Sequence, residues 1–441
     1  MSENHTLSIA VIGSGPAGYY AAEALSKASS DERPVEVDVI DQLPTPFGLI
    51  RAGVAPDHQS IKNVAKRYEK TAMQDNVRFL GNVSIGKDVQ IEELMTIYDA
   101  VILAIGASAS RKLNIDGADK QGVIGSAEFV GWYNSHPHHA ELKPKLNIDS
   151  AVIIGNGNVA VDVCRILAKT TEEMAETDLA HYAGKTIHAT PIETIWMFGR
   201  RGPMEAKFTP KELSELGELK QCVTITKPEQ LPDDIPADTL PKEQGVKKKI
   251  LGHLKEFSTP RPAKIQTLNI EFYASPVSVI GNERVEGIRM ERTRVEDGRT
   301  LGTGHFFDVP CQLIIPCIGY RTVPIEGVPF DTDAGHFRNT DGHVRDNLYV
   351  TGWARRGPSG TIGTNRPDAQ EVAARVIEEI KPKANNARQK IDDLLQKRHI
   401  SHVSFRDWQK IDAAELAAAK YTAPREKFAT IDTMLKTISE N

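Results

Sequence analysis

Residues 152–160 read VIIGNGNVA, and residues 161–167 continue as VDVCRIL. A short apolar run leads into Gly155-Asn156-Gly157-Asn158-Val159-Ala160 and then into a helical pattern. This order predicts a strand, a glycine turn and a helix. The glycines let the backbone close on a pyrophosphate at the helix N-terminus, where unpaired N–H groups favour negative charge. Further on, residues 194–202 read TIWMFGRRG. If the strand over 194–198 pairs beside the first, Arg200 and Arg201 lie where an adenosine ribose would sit. An acidic residue there would bind a free 2′-hydroxyl. Two guanidinium groups suit a 2′-phosphate instead, because they bring opposite charge and fork-shaped donors. The expectation is an NADP(H) site.

A second fingerprint opens the chain. An apolar strand over 7–12 is followed by Gly13-Ser14-Gly15-Pro16-Ala17-Gly18, a helix from Tyr19 to Lys27, and a strand over 35–40 that ends at Asp41. The acid stands a little over twenty residues beyond the turn, the distance at which a carboxylate reaches a ribose hydroxyl. A lone GxGxxG can serve helix–sheet packing only, but that reading leaves Asp41 without a purpose. After Asp41, the segment from Gln42 to His58 holds three prolines and two glycines and has neither helix nor strand period. A long irregular segment inside a compact domain is usually functional. A helix is expected over 61–73.

The totals bound the rest. A chain of 441 residues exceeds one ordinary core, so two or three domains are expected. It is 40% hydrophobic and 26% charged with a net charge of −5, which argues against general nucleic-acid binding. Its longest apolar runs, such as 100–105 and 151–154, are far too short to span a bilayer, so no membrane insertion is expected. The polar start, 1–6, reads as no secretory signal. The four cysteines, Cys164, Cys222, Cys311 and Cys317, form no CxxC and no zinc-ligand spacing. They read as buried small hydrophobes in a reducing compartment.

The stretches YDAVILAIG (98–106) and QLIIPCIG (312–319) resemble one another, as buried strands with glycine exits. Domain borders are placed there, giving residues 1–107 and 319–441 to one domain and 108–318 to the other. Between the borders lies a β-rich stretch, 270–309, with turns at Gly281-Asn282 and Asp297-Gly298. The Pro/Asp-rich 231–241 reads as a surface loop, and Lys247-Lys248-Lys249 as a solvated face or a docking patch for an acidic protein. A strand over 348–352 leads into Trp353-Ala354-Arg355-Arg356-Gly357-Pro358-Ser359-Gly360-Thr361-Ile362-Gly363, then a helix from about Pro367 to Ile380. The first domain is expected to resume there. Helices are expected over 384–398, 404–420 (Ser404 as N-cap) and 425–438.

Two dinucleotide fingerprints in tandem imply two cofactors facing each other. The economical reading is FAD on the first fold and NADP(H) on the second, with hydride passing between them. Disulfide reduction is disfavoured because no cysteine pair has the spacing for it. No substrate chamber is evident, which points to another protein as electron acceptor.

The motifs GSGPAGYYAAEAL, TPFGLIRAGVAPDH, GNGNVAVDVCRIL, GRRGPMEAKFTPKEL and GWARRGPSGTIG resemble those of the adrenodoxin-reductase-type ferredoxin–NADP reductases, a family with mitochondrial and actinobacterial members. The ending SFRDWQKIDAAE…PREKF is also similar. The resemblance spans most of the chain. It implies an α/β fold of two Rossmann-like, glutathione-reductase-type three-layer domains, with the NADP domain inserted in the FAD domain. It also implies electron transfer from NADPH through FAD to an iron–sulfur ferredoxin in a transient complex.

Carried over by motif, FAD contacts fall on Ala17, Asp41, Leu49, Val83, Trp353 and Gly360-Thr361-Ile362, beside the fingerprint glycines Gly13, Gly15 and Gly18. The family usually has Glu where this chain has Asp41. NADP contacts fall on Asn156, Gly157, Asn158, Val159, Arg200, Arg201, Glu212 and Gly360. Glu212 would repel a 2′-phosphate, so it reads either as an acceptor for arginines or ribose, or as an exposed helix residue. His58, at the end of the TPFGLIRAGVAPDH loop, is the expected catalytic proton handler, paired with Glu215. Mammalian members dock their ferredoxin through arginines shortly after this point. Here the helix reads KELSELGELK, with Ser214 and Glu215 where a basic face would begin, so Lys247–Lys249 or Arg355-Arg356 are expected to serve instead.

Two other readings compete. A glutamate-synthase small-subunit-like flavoprotein would carry N-terminal cysteine clusters, which this chain lacks. A nucleotide-sensing flavoprotein would bind NADPH to recruit a partner. The expected location is the bacterial cytoplasm, or the mitochondrial matrix for a matured eukaryotic protein.

Overall fold

The computed structural model describes residues 5–383 and 386–440. The start of the chain read for a signal (1–4) and the first two residues of the helix expected over 384–398 lie outside that range. The chain forms two compact units, one of residues 1–109, 134–137 and 320–441, the other of residues 110–133 and 138–319.

The first unit is built on a six-stranded sheet in the order His343–Arg345, Leu348–Val350, Ala100–Leu103, Leu7–Ile12, Val35–Ile40, Val77–Leu80. All neighbours are parallel except the first pair. All six residues of Leu7–Ile12 are buried, as both faces of a parallel sheet are covered. Alternation divides the strand between two cores. Leu7, Ile9 and Val11 pack with helices Pro16–Lys27, Asn365–Glu379 and Phe405–Ala417, whereas Ala10 and Ile12 pack with Ile91–Ile97 and Ala387–Lys397. The result is helix, sheet and helix in three layers. Buried Asp38 is satisfied within this frame by the Arg78 guanidinium, by Nε of Arg388 and by the Tyr98 hydroxyl at 2.7 Å.

The second unit has a five-stranded parallel sheet, ordered Leu313–Pro316, Ser150–Ile154, Thr194–Phe198, Gln266–Glu271, Cys222–Thr226. Ala151 and Ile153 face a helical layer that includes Ser126–Tyr133, Asn158–Ala168 and Pro241–Phe257. Val152 and Ile154 face an antiparallel three-stranded sheet, Ala274–Ile280, Gly287–Glu296 and Arg299–Pro310. The hairpin at Asp297-Gly298 has positive φ at both residues (50° and 72°), the geometry a two-residue turn with the strand's own twist requires.

Three expectations need correction. The helix over 61–73 is two pieces, Gln59–Lys62 and Ala65–Ala72, because three-residue bonds from Asn63 N to Ser60 O and from Val64 N to Ile61 O replace the four-residue helical ladder. The irregular 42–58 segment contains one helical turn, Leu49–Ala52. The helix over 425–438 begins only at Ile431, since 425–430 is non-helical and bonds to an earlier helix. Lys247–Lys249 belong to a helix, Pro241–Phe257, whose inner face is Ile250, Leu251, Leu254 and Phe257.

Candidate functional site

In the first unit, the predicted ligand residues gather beyond the carboxyl ends of the parallel strands, where open α/β sheets bind their ligands. Ile12 lies in register with both Ile40 and Leu103, and Leu103 with Val350, so Gly13, Asp41 and Thr351 emerge side by side. Each fingerprint glycine has its own constraint. Gly13 has φ of +105°, and an added Cβ would lie 2.6 Å from the Ala104 carbonyl oxygen. A Cβ on Gly18 would lie 1.9 Å from the Gly13 oxygen, so the third glycine permits the helix to sit against the turn. Gly15, the N-cap residue, would find its nearest neighbour at 4.0 Å, the Cα of Gly48. The floor of the turn is therefore open backbone, as a pyrophosphate requires.

Asp41 is turned toward that floor. One carboxylate oxygen accepts from Ser14 N (2.8 Å) and Ser14 Oγ (2.6 Å), the other from Leu43 N (3.0 Å). Phe47 N donates to Ser14 O at 3.0 Å, which ties the 42–58 loop to the same turn and places Leu49 at the start of its helical turn. Buried Val83 donates its N–H to Asp41 O at 2.9 Å. A Cβ on Gly352 would meet the Ala17 Cβ at 2.5 Å, so Trp353, the next residue, starts its short helix beside the fingerprint helix. Trp353 Nε1 donates to Ser359 O at 3.0 Å, closing the loop that carries Gly360, Thr361 and Ile362. His58 is buried in this unit, ahead of Gln59–Lys62.

In the second unit, Ile154 lies in register with Phe198 and Pro316, so Gly155, Gly199 and Cys317 leave the sheet together. Gly155 has φ of +136°, and a Cβ there would lie 2.3 Å from the Cys317 oxygen. Gly157 is different. A Cβ there would meet nothing within 4 Å, at the N-cap of the 11-residue helix Asn158–Ala168. Asn158 Oδ1 accepts from Thr209 N at 2.8 Å, and the Asn156 carbonyl accepts from Lys207 N at 2.8 Å. The buried Oδ1 of Asn156 has no partner among the described residues, which suits a ligand that brings a donor. Val159 follows in the first helical turn.

Arg200 and Arg201 follow the neighbouring strand. Their carbonyls are pinned by Thr293 Oγ1 (2.8 Å) and Tyr273 N (3.2 Å), respectively. Among the described residues, neither guanidinium is held by an ion pair or hydrogen bond, and Arg200 is exposed. Two forks without protein partners, one strand over from an open glycine turn, are what a 2′-phosphate needs.

Comparison with known proteins fits this geometry. Residues 7–191 match the family model described as pyridine nucleotide-disulphide oxidoreductase. Over 97% of this chain and 98% of the relative, the sequence is 39% identical to NADPH-ferredoxin reductase FprA of Mycobacterium tuberculosis. The human mitochondrial NADPH:adrenodoxin oxidoreductase is 37% identical over 99% of this chain and 92% of its own. The chain belongs to the NADPH-ferredoxin and adrenodoxin reductase family. A solved structure of FprA in complex with NADPH superposes with a TM-score of 0.94, at 39% identity, covering 98% of this chain and 100% of that one.

One functional neighbour in this reductase fold was not legible in the sequence. Arg165, inside the helix Asn158–Ala168, is 0% exposed. Its guanidinium meets Asp162 at 2.8 Å, Glu215 at 3.3 Å and Glu212 at 3.4 Å. Glu212 is therefore not an exposed helix residue. It is 8% exposed, and the arginine it meets is Arg165. Its helix, Pro210–Glu215, is set by Thr209, whose side chain caps Glu212 N. His58 belongs to the first unit and Glu215 to the second. Of the two cationic patches, Arg355 and Arg356 are engaged by Asp368, with Glu371 also on Arg355 and Asn365 on Arg356, whereas Lys248 and Lys249 are exposed.

Proposed function

We propose that this protein is an NADPH–ferredoxin reductase, in which the first unit holds FAD and the second holds NADP(H). The observation that carries this reading is the pair of open glycine turns, one in each unit, with Asp41 beside the first and Arg200-Arg201 beside the second. When bound, FAD supplies the conversion of a two-electron hydride into single electrons that an iron–sulfur centre can accept.

The chain's own residues bind, orient and select. Gly15 and Gly157 leave room for phosphates at two helix N-termini, where backbone N–H groups face the ligand. Asp41, held by Ser14 and Leu43 beside the glycine turn, is assigned the ribose hydroxyl. Leu49, Val83, Trp353 and Gly360–Ile362 wall the flavin side; Asn156, Asn158, Val159 and Glu212 wall the nicotinamide side. Arg200 and Arg201 select the 2′-phosphate. His58 and Glu215 are assigned the handling of the proton that accompanies hydride transfer.

A dithiol route finds no support in the four thiols. Burial raises the Cys222 and Cys311 thiols to about 12 and pushes Cys164 and Cys317 up as well. The electron acceptor is an iron–sulfur protein, with exposed Lys248 and Lys249 assigned to its docking. No helix among the described residues is long and apolar enough to cross a membrane, and a bacterial cytoplasmic location is the reading we favour. Titration of the purified protein with NADPH, NADH and an oxidised [2Fe–2S] ferredoxin tests the function. Flavin bleaching that passes to the ferredoxin supports it, and bleaching with no acceptor would favour a nucleotide-sensing role.

A further inference from the structure

Residues 401–428 reach two of the loops assigned to FAD, and all the contacts lie within the first unit. Val403 exchanges backbone hydrogen bonds with Gly81 (2.8 and 2.9 Å), and Asn82 Nδ2 donates to Ser401 O at 2.9 Å, fixing the turn that carries Val83. Helix Phe405–Ala417 then packs Phe405 and Trp408 edge-on against Phe47, with ring centroids 6.4 and 6.1 Å apart. Phe47 has φ of 82°, unfavourable for an aromatic residue, and its N–H is bonded to Ser14 in the fingerprint turn. Surrounding contacts must hold that conformation.

A second hold is ionic. Glu415, 0% exposed, binds the Arg51 guanidinium through both oxygens, one at 2.9 Å, and also accepts from Phe428 N at 2.8 Å. Arg425 closes on the same carboxylate at 3.6 Å. Arg51 also lies over the Trp408 ring at 5.1 Å. From below, buried Lys427 donates to Arg51 O (3.2 Å) and Asn134 Oδ1 (3.1 Å). Arg51 closes the helical turn that begins at Leu49, and Gly48 just before it stands against Gly15, its added Cβ falling 3.0 Å from the Gly15 Cα.

We propose that residues 401–428 are a clasp that preorganises the flavin-side loops, with Glu415 as the positioning residue acting through Arg51. The proposal rests on the reading that the first unit holds FAD. A buried carboxylate that ties two arginines and a backbone N–H is costly to leave half-made, so its loss should free the 42–58 loop before it unfolds the sheet.

The test is FAD binding to apoprotein, followed by quenching of flavin fluorescence, for wild type, Glu415→Gln, and Asp392→Asn as control. The control removes a half-exposed partner of Arg78 elsewhere in the same unit. NADP+ affinity of each protein reports the second unit. The clasp predicts that Glu415→Gln raises the FAD dissociation constant about 10-fold or more, speeds proteolytic cleavage within 42–58, and leaves NADP+ affinity unchanged, while Asp392→Asn binds FAD within about twofold of wild type. Unaltered FAD affinity in Glu415→Gln would overturn it, as would equal losses in the control. If Glu415→Gln does not fold, Lys427→Met carries the same test, and tight FAD binding there overturns the clasp. A wild-type apoprotein that takes up no FAD removes the underlying site assignment, and the clasp with it.

Discussion

Arg165 and Glu215 meet at 3.3 Å, with the guanidinium wholly buried and Asp162 and Glu212 on the same cation. Three carboxylates thus share one arginine of the helix that opens at Gly157. The arrangement holds Glu212, assigned to the nicotinamide side, and Glu215, assigned to proton handling, without spending Arg200 or Arg201 on them.

Arg165→Met would leave three acids together without their cation. Breaking a buried pair from one side costs about 3–5 kcal/mol, so the second unit should lose that order of stability. Denaturant unfolding of the variant beside Arg165→Lys checks this. A loss under about 1 kcal/mol for Met would show that the network is not the support inferred here.

Gly155 and Gly157 separate folding from binding. Gly155→Ala places a Cβ 2.3 Å from a backbone oxygen at φ +136° and should impair folding. Gly157→Ala adds a methyl to open space, so the protein should fold normally and lose NADP+ affinity by about tenfold or more, the pyrophosphate being kept from the helix end. Calorimetry with NADP+ and a thermal melt of each variant distinguish the two effects.

Replacing Arg200 and Arg201 together with Ala should raise KM for NADPH by about 100-fold while leaving KM for NADH within about threefold, as two charge-assisted forks to the 2′-phosphate are lost. Steady-state kinetics with both nucleotides is the check. Parallel losses for both would place the arginines elsewhere than on that phosphate.

Glu271 makes the stability of the second unit dependent on acid. Burial alone would raise its carboxyl, but hydrogen bonds and charge from Lys227 and Arg292 outweigh it and hold the group below the usual carboxylate range. A depressed folded value stabilises the native state above the unfolded pKa of about 4.3, and that contribution is lost as pH falls through the folded value. Glu271→Gln should therefore be less stable than wild type at pH 7, with the gap narrowing in acid. Unfolding midpoints between about pH 7 and 3 would show it.

The fold class and the two glycine turns were legible because their demands are local. A positive φ at Gly13 or Gly155 and the missing side chain at Gly18 are written into a few adjacent residues. Asp41 and Arg200-Arg201 were named from their places just beyond the ends of the strands Val35–Ile40 and Thr194–Phe198, where the structure sets them. What could not be read depends on distant partners. Arg165 in VDVCRIL looks like a surface charge until helix Pro210–Glu215 covers it. Residues 425–430 have helical composition, yet they bond to Glu415 and remain non-helical, with Glu426 N on the Glu415 carbonyl. The Lys247–Lys249 run hides a helix because its apolar face starts only at Ile250.

Electrons enter from NADPH and leave singly to an iron–sulfur protein. Anaerobic rapid mixing of the FAD-loaded protein with NADPH or NADH, followed by an oxidised [2Fe–2S] ferredoxin, tests it most directly. Fast flavin bleaching by NADPH, a poor response to NADH and subsequent bleaching of the iron–sulfur absorbance are predicted. Equal response to NADH would remove the 2′-phosphate selection, and a reduced flavin that passes no electrons to any ferredoxin would rule out the single-electron transfer.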